Sequence, residues 1–232
     1  MTPRPLPATL LLVATLLLVG TACLPGIGGT GVALSSNPAM HQVPGQPQLT
    51  PEPAASTDPD LDRAQAAAQA FSTQLRGRLQ AAMRDGGPTA AVAICNAEAP
   101  AIAEAVMGEH GLRLGRVALP GRNRHPVQAA NAWQLTTLEA FQQAVDGGAP
   151  AGGQVAVMRE GLPDGIALRM MRGIVTEPGC LACHGSEIAT DIRQAILARY
   201  PDDGATGFAV GDLRGALWVE VPATTATTGD TP

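Results

Sequence analysis

The sequence predicts an α+β domain, helices first and then an antiparallel sheet with helical insertions. Three observations predict it. Phe71, Leu75, Leu79 and Met83 recur every fourth residue, which places one apolar stripe on a helix. Two apolar runs, QVAVMRE and GIALRMMRGIV, meet at the turn sequence GLPDG and read as a hairpin. Near the end, LRGALWVEV alternates so that Leu217, Val219 and Val221 share one face of a strand. Aromatic residues make up 3% of the 232-residue chain, so the core has to be built from Ala, Leu, Val, Ile and Met.

The front of the chain reads as an address. Arg4 supplies a positive start, Ala8 to Val19 is apolar, and Gly20, Thr21 and Ala22 are small, the pattern of a signal peptide over residues 1–22. The apolar run is well short of the roughly 20 residues that a membrane-spanning helix needs. Cleavage after Ala22 makes Cys23 the new N-terminus, the lipidation arrangement of a bacterial lipoprotein, although Gly20 stands where such signals usually carry leucine. The expected location is the periplasm or the cell surface, with the membrane touched only through a lipid anchor if Cys23 is acylated. Residues 23–59 are rich in Gly, Pro, Ser and Thr and read as a flexible linker, in which His41 is an ordinary solvated histidine. Residues 223–232 read as a disordered tail, which leaves 60–222 as one domain with a core of its own. The net charge is -5 and every basic residue is a scattered arginine, so there is no nucleic-acid footprint.

Within the domain, Leu61 to Asp85 is a first helix ending at Gly86 and Gly87. TAAVAICNAEAPAIAEAVMGEHG is a second, with Pro100 expected to break or kink it into two pieces. LRLGRVAL is a strand, GRNRHPVQAAN an arginine-rich loop, and Ala132 to Val145 a helix through Leu138, Phe141 and Val145. The hairpin follows. Next comes EPGCLACHGSEI on a turn after Pro178 and Gly179, and then a helix to about Arg199 that Ser186 and Glu187 are placed to cap. YPDDGATGFAVGD is a loop before the last strand.

Cys180-Leu181-Ala182-Cys183-His184 has the spacing of c-type haem attachment. Two thiols one helical turn apart can add to the two haem vinyl groups, and the adjacent histidine then falls beneath the iron. A structural zinc site wants a second Cys/His pair, which this chain lacks. A thioredoxin-like redox pair belongs at the start of a helix after a strand of a βαβ unit, and here a hairpin precedes it. Haem is the reading these comparisons favour, and export to a compartment where such attachment occurs agrees with it. The residues leave the opposite axial ligand open. His110 and His125 are of a kind more often found at surfaces, Met158, Met170 and Met171 more often fill cores, and Cys95 on an alanine-rich helix reads equally as a small buried hydrophobe.

Several blocks resemble a family of small bacterial c-haem domains with a PAS-like fold, long catalogued as a domain of unknown function. They are AVAICNAEAPAIAE from Ala91, RVALPGRN from Arg116, ANAW from Ala130, CLACHG from Cys180 and YPDDGATGFAVGDLRGALWVEV from Tyr200. Members occur as stand-alone exported proteins and as sensor domains of histidine kinases and chemoreceptors. The resemblance implies one covalent haem c held by Cys180 and Cys183, with His184 and Cys95 as axial ligands. The chain departs from the family in the loop from Arg122 to Asn131, which is longer than usual, and in Gln134 after Trp133. A role for Arg122 or Asn123 at the haem propionates is thus left open, solvation being the commoner state of such residues.

Three functions follow as expectations. The first is a redox or gas sensor, in which Cys95 leaves reduced iron and NO or CO binds. No output domain follows Val221, so its signal is expected to pass to a separate protein partner. The second is a periplasmic electron-transfer protein with an unknown redox partner. The third, a peroxidase-type enzyme, requires Cys95 to be displaced and a distal acid-base pair that the sequence does not show. Sensing is preferred, enzymatic activity is not expected, and the anionic thiolate predicts a potential below that of His/Met cytochromes.

Overall fold

The computed structural model describes residues 58–224; the expected signal peptide, Cys23, nearly all of the linker and the end of the tail lie outside the described residues. The first element, α1 (Pro59–His110), starts as its sequence dictates. Asp58 accepts a hydrogen bond from the Leu61 amide at 3.1 Å, Pro59 occupies the first turn, and Asp60 and Asp62 face the positive end of the helix dipole. The helix is interrupted at Gly87, whose φ of 70° and ψ of -169° are open essentially to glycine alone, and Pro88 starts the second half.

The two halves lie against each other. Arg78 and Glu98, 20 residues apart, form a forked ion pair across the break, and Phe71 and Leu75 share a core with Ala99 and Val106. The break expected at Pro100 is therefore not there. Pro100 is exposed, and the second half runs through it to His110, where Gly111 takes the left-handed conformation and closes the end on the Met107 carbonyl. Of the predicted stripe, Phe71 and Leu75 are buried and Leu79 partly so, while Met83, close to the break, is exposed.

Four strands form one antiparallel sheet in the order β1-β4-β3-β2: β1 (Arg113–Val117), β2 (Val155–Met158), β3 (Ile166–Val175) and β4 (Leu213–Pro222). The α+β class and the hairpin are as expected. Alternation along the strands splits the core in two. Leu114, Leu168, Met170, Leu217, Val219 and Val221 meet α1 on one face. On the other, Val117, Met171 and Ala216 meet Leu138 and Phe141 of α2 (Ala132–Asp146). Each large side chain so buried contributes about 1.5–3 kcal/mol.

The β3–β4 pairing shifts register at two places, between Ile166 and Leu168 and between Ile174 and Val175. Ile174 pairs with Gly215 and Val175 with Leu213, so Arg214 is the extra residue of a bulge. After β3 come a one-turn helix, α3 (Leu181–His184), and α4 (Thr190–Leu197). The cap expected at Ser186 is not made: Ala189 precedes α4 without a side-chain cap, and the helix ends at Leu197. Gly185 leaves α3 in an extended conformation, and the later start lines up Ile188, Ile192 and Ile196 to pack with Val92 of α1.

Two glycines of α1 test this geometry. Gly77 is helical with open space where a Cβ would go, so Gly77→Ala is expected to stabilise the protein by about 0.5–1 kcal/mol. Gly87→Ala also meets no atom but strains the backbone, and is expected to cost about 1–3 kcal/mol. Urea denaturation checks both, and equal effects would contradict the break at Gly87.

Candidate functional site

The motif EPGCLACHG is assembled by short helical turns. Pro178–Cys180 forms a 3-10 turn that runs straight into α3, so Cys180, Cys183 and His184 lie on about one turn of chain. Cys180 Sγ accepts a weak bond from the Glu177 amide at 3.4 Å, and both Glu177 carboxylate oxygens accept from Arg76 of α1 at 3.1 Å. Cys95 arrives from the second half of α1. Val92, one turn before it, packs with Ile188, Ile192, Ile196, Tyr200 and Cys183. Cys95, Cys180 and Cys183 are free thiols, each half-buried. Cys95 and Cys180 each act electrostatically on both Cys183 and Arg214, so residues about 85 apart in sequence share one site. Burial pushes the Cys183 thiol up, and Arg124 partly offsets it.

His184 is the most constrained group. Its Nδ1 lies 2.7 Å from the Ala205 carbonyl and its Nε2 2.9 Å from Nη1 of Arg214. A carbonyl only accepts and a guanidinium only donates, so the proton is assigned to Nδ1 and the lone pair to Nε2. Burial, then the charges of Arg214 and Arg124, hold the imidazole neutral, its pKa pushed down to about 2. The Phe208 ring stands edge-on to it at 6.4 Å. The loop that supplies Ala205 is strapped to the motif by backbone bonds, Phe208 to the His184 carbonyl and Gly207 to that of Gly185, both at 3.0 Å.

Behind that loop is a buried ion pair that no spacing in the sequence announces. Arg124 and Asp203 meet at 3.0 Å with side chains 7% and 3% exposed. Arg124 also donates to the Cys183 carbonyl at 2.6 Å, and Asp203 Oδ1 accepts from the Ala205 amide at 3.0 Å. The pair thus holds both α3, through the Cys183 carbonyl, and Ala205, the acceptor residue of the histidine. Gly204, between them, is packed so closely on the Gly121 carbonyl that any Cβ would collide with it. Arg116 and Arg214 complete a cationic floor, both depressed first by burial and then by neighbouring arginines. The one available signal was the pairing of an arginine-rich loop with the acidic YPDDG.

The other ligand candidates are engaged elsewhere. His110 ends α1, and His125 is exposed, its Nδ1 accepting from the Val127 amide at 3.1 Å. Met170 and Met171 fill the two cores, and Met158 is half-buried on the edge strand β2. Gln134 forms a reciprocal capping box with Asn131 at the start of α2, which gives the unusual residue after Trp133 a structural task. Among the described residues no three of His, Cys, Asp and Glu gather as a metal cluster. A single-turn helix after an antiparallel hairpin is not the setting of a thioredoxin pair.

A model of the Tll0287-like family matches residues 53–222, a span that holds all three free thiols, His184 and the Arg124–Asp203 pair. The chain belongs to the Tll0287-like family. Among solved structures it is similar to the one described as the crystal structure of the cyanobacterial heme-protein Tll0287. That match has 28% identity and a TM-score of 0.54, and covers 71% of this chain and 96% of that one. A comparison with curated proteins gives no match. The Tll0287-like fold accounts for the α+β arrangement, with its antiparallel sheet and leading helices.

The buried pair makes a quantitative prediction. Asp203→Asn or Arg124→Gln is expected to destabilise this Tll0287-like domain by about 3–5 kcal/mol, because each leaves a buried charge alone. The double variant Arg124→Met/Asp203→Leu is expected to lose less than the sum of the two. Denaturant unfolding of the three proteins checks this, and additive losses would show that the two groups act independently.

Proposed function

We propose that the chain binds one haem c, attached through Cys180 and Cys183, with His184 Nε2 and Cys95 Sγ as axial ligands, and that it acts as a redox or diatomic-gas sensor. The observation that carries the reading is the fixed tautomer of His184, at the end of a turn bearing two free thiols; its Nε2 lone pair accepts from Arg214 Nη1 in this structure and reaches a metal once that guanidinium moves aside. The donor set fits the group: two thiols for covalent attachment, an imidazole nitrogen, and a third thiol on another helix within electrostatic reach. The similar Tll0287 structure is that of a heme-protein, which supports the same reading. The signal peptide, Cys23 as lipid anchor and a periplasmic or cell-surface location belong to this proposal, since c-type attachment accompanies export.

A haem held there supplies one-electron chemistry at iron and, once an axial position opens, a place for NO or CO. The protein's own residues favour opening on one side. His184 is held by the Ala205 carbonyl and, behind it, by a buried ion pair. Cys95 sits on a helix whose charged ties, Arg78–Glu98 and Arg76–Glu177, are largely exposed and hence weak. Arg116 and Arg214 lie within electrostatic reach of Cys95, the ligand proposed to leave. Electron transfer is the alternative, supported by the rigid mounting of His184.

The test uses the full exported chain produced with c-type haem maturation. Haem is expected to stay with the polypeptide in acid acetone, and to be lost from Cys180→Ala/Cys183→Ala. The ferric protein is expected to show a six-coordinate thiolate-type spectrum that Cys95→Ala removes; an unchanged variant spectrum would overturn the Cys95 assignment. After reduction, fast binding of CO or NO supports sensing, whereas rapid reversible oxidation with both ligands retained supports electron transfer.

A further inference from the structure

His184 Nε2 has a partner within the chain. Nη1 of Arg214 lies 2.9 Å from it, and a guanidinium has only donors, so the bond uses the one lone pair of the ring. A metal requires that same lone pair, which serves one partner at a time. Arg214 and iron are therefore exclusive occupants of Nε2.

The backbone at Arg214 is fixed. It is the bulge residue of β4, between Leu213, which is buried, and Gly215, whose φ of 145° and close approach to the Val117 carbonyl leave no room for a Cβ. A change of partner thus falls to the side chain alone. The bond it makes to the imidazole joins a cation to a neutral ring, and its Nε is buried without a hydrogen-bond partner. Beside it lies a cleft of about 480 Å³ between α2 and β4, lined by Arg214 itself and by Asp146 and Asp212 among others. Asp146 accepts from Gln142 and Asp212 from the Ala209 amide, both at 2.8 Å, and neither enters an ion pair among the described residues. The cleft thus offers the guanidinium carboxylates in place of an imidazole.

We infer that Arg214 guards His184: it holds Nε2 against ligands that reach the ring from solution, and gives way, into this cleft, to iron held beside the ring by Cys180 and Cys183. The inference rests on the haem reading and deepens it, because it adds a residue that decides what His184 accepts. The two kinds of ligand differ in effective concentration. A free metal ion or electrophile competes with an intramolecular hydrogen bond through a single imidazole. A group tethered at the adjacent Cys183 meets that imidazole at the far higher local concentration of an intramolecular partner.

Diethyl pyrocarbonate, a neutral reagent that acylates an unprotonated imidazole nitrogen, tests the guard. Full chain produced without haem attachment is treated and its histidines are mapped by mass spectrometry, with exposed His125 as the internal standard. Arg214→Met is expected to raise the rate at His184 relative to His125 by about threefold to tenfold, the worth of one hydrogen bond, and Arg214→Lys, which keeps a donor, by less. Nitrogen-15 spectra separate loss of the guard from loosening of the site. In Arg214→Met the Nε2 resonance is expected to move toward that of a free ring nitrogen while the proton stays on Nδ1. An unchanged rate ratio, a faster rate with that proton lost, or a wild-type Nε2 resonance already at the free position would overturn the guard, and the last needs no variant to fold. In export-matured chain, His184 is expected to be unreactive with or without Arg214. Covalent haem together with a His184 that Arg214→Met exposes to the reagent would overturn the displacement by iron. Failure of the haem reading shows separately, as matured chain without covalent haem, and leaves the hydrogen-bonded guard standing.

Discussion

The hydrogen bond between His184 Nδ1 and the Ala205 carbonyl decides what the imidazole can do. It places the proton on one ring nitrogen and the lone pair on the other, and a ligand histidine is defined by that choice. The bond is only as good as the position of Ala205, and Ala205 is held by the Asp203 carboxylate at its amide. Asp203 in turn is paired with Arg124, which also binds the carbonyl of Cys183. One buried ion pair therefore fixes the Cys180–His184 turn and the acceptor of its histidine in the same frame.

The opposite wall is built on other terms. Cys95 stands on the second half of α1, which meets the motif through Val92 and the isoleucines of α4. Apolar contacts of this kind locate a helix without fixing a side chain to tenths of an ångström, and the charged ties of α1 are exposed. The site thus has a rigid side and a yielding side.

Much of the scaffold was legible in the sequence, for reasons that are local. The hairpin followed from two alternating runs around GLPDG, and the buried face of β4 from Leu217, Val219 and Val221. Misplaced boundaries had tertiary causes. Pro100 stays helical because its ring points to solvent, and the turn falls instead at Gly87, where the two halves of α1 must fold against the sheet. Ser186 does not cap because α4 is drawn back to align Ile188, Ile192 and Ile196 on α1. At the site, the Cys-Leu-Ala-Cys-His run was visible because its chemistry is read at fixed spacing. Arg124, Asp203 and Arg214 were not. They come from three separate loops and strands, and only the fold makes an ion pair of the first two and a bulge residue of the third.

The protonation state of His184 tests the account most directly. Two-bond nitrogen-proton correlation spectra of the full chain, labelled with nitrogen-15 in its histidines and produced without haem attachment, report which ring nitrogen carries the proton. The account predicts a neutral ring for His184 at pH 7 with the proton on Nδ1, and loss of that pure tautomer in Asp203→Asn. A proton on Nε2, or a doubly protonated ring at that pH, would contradict it.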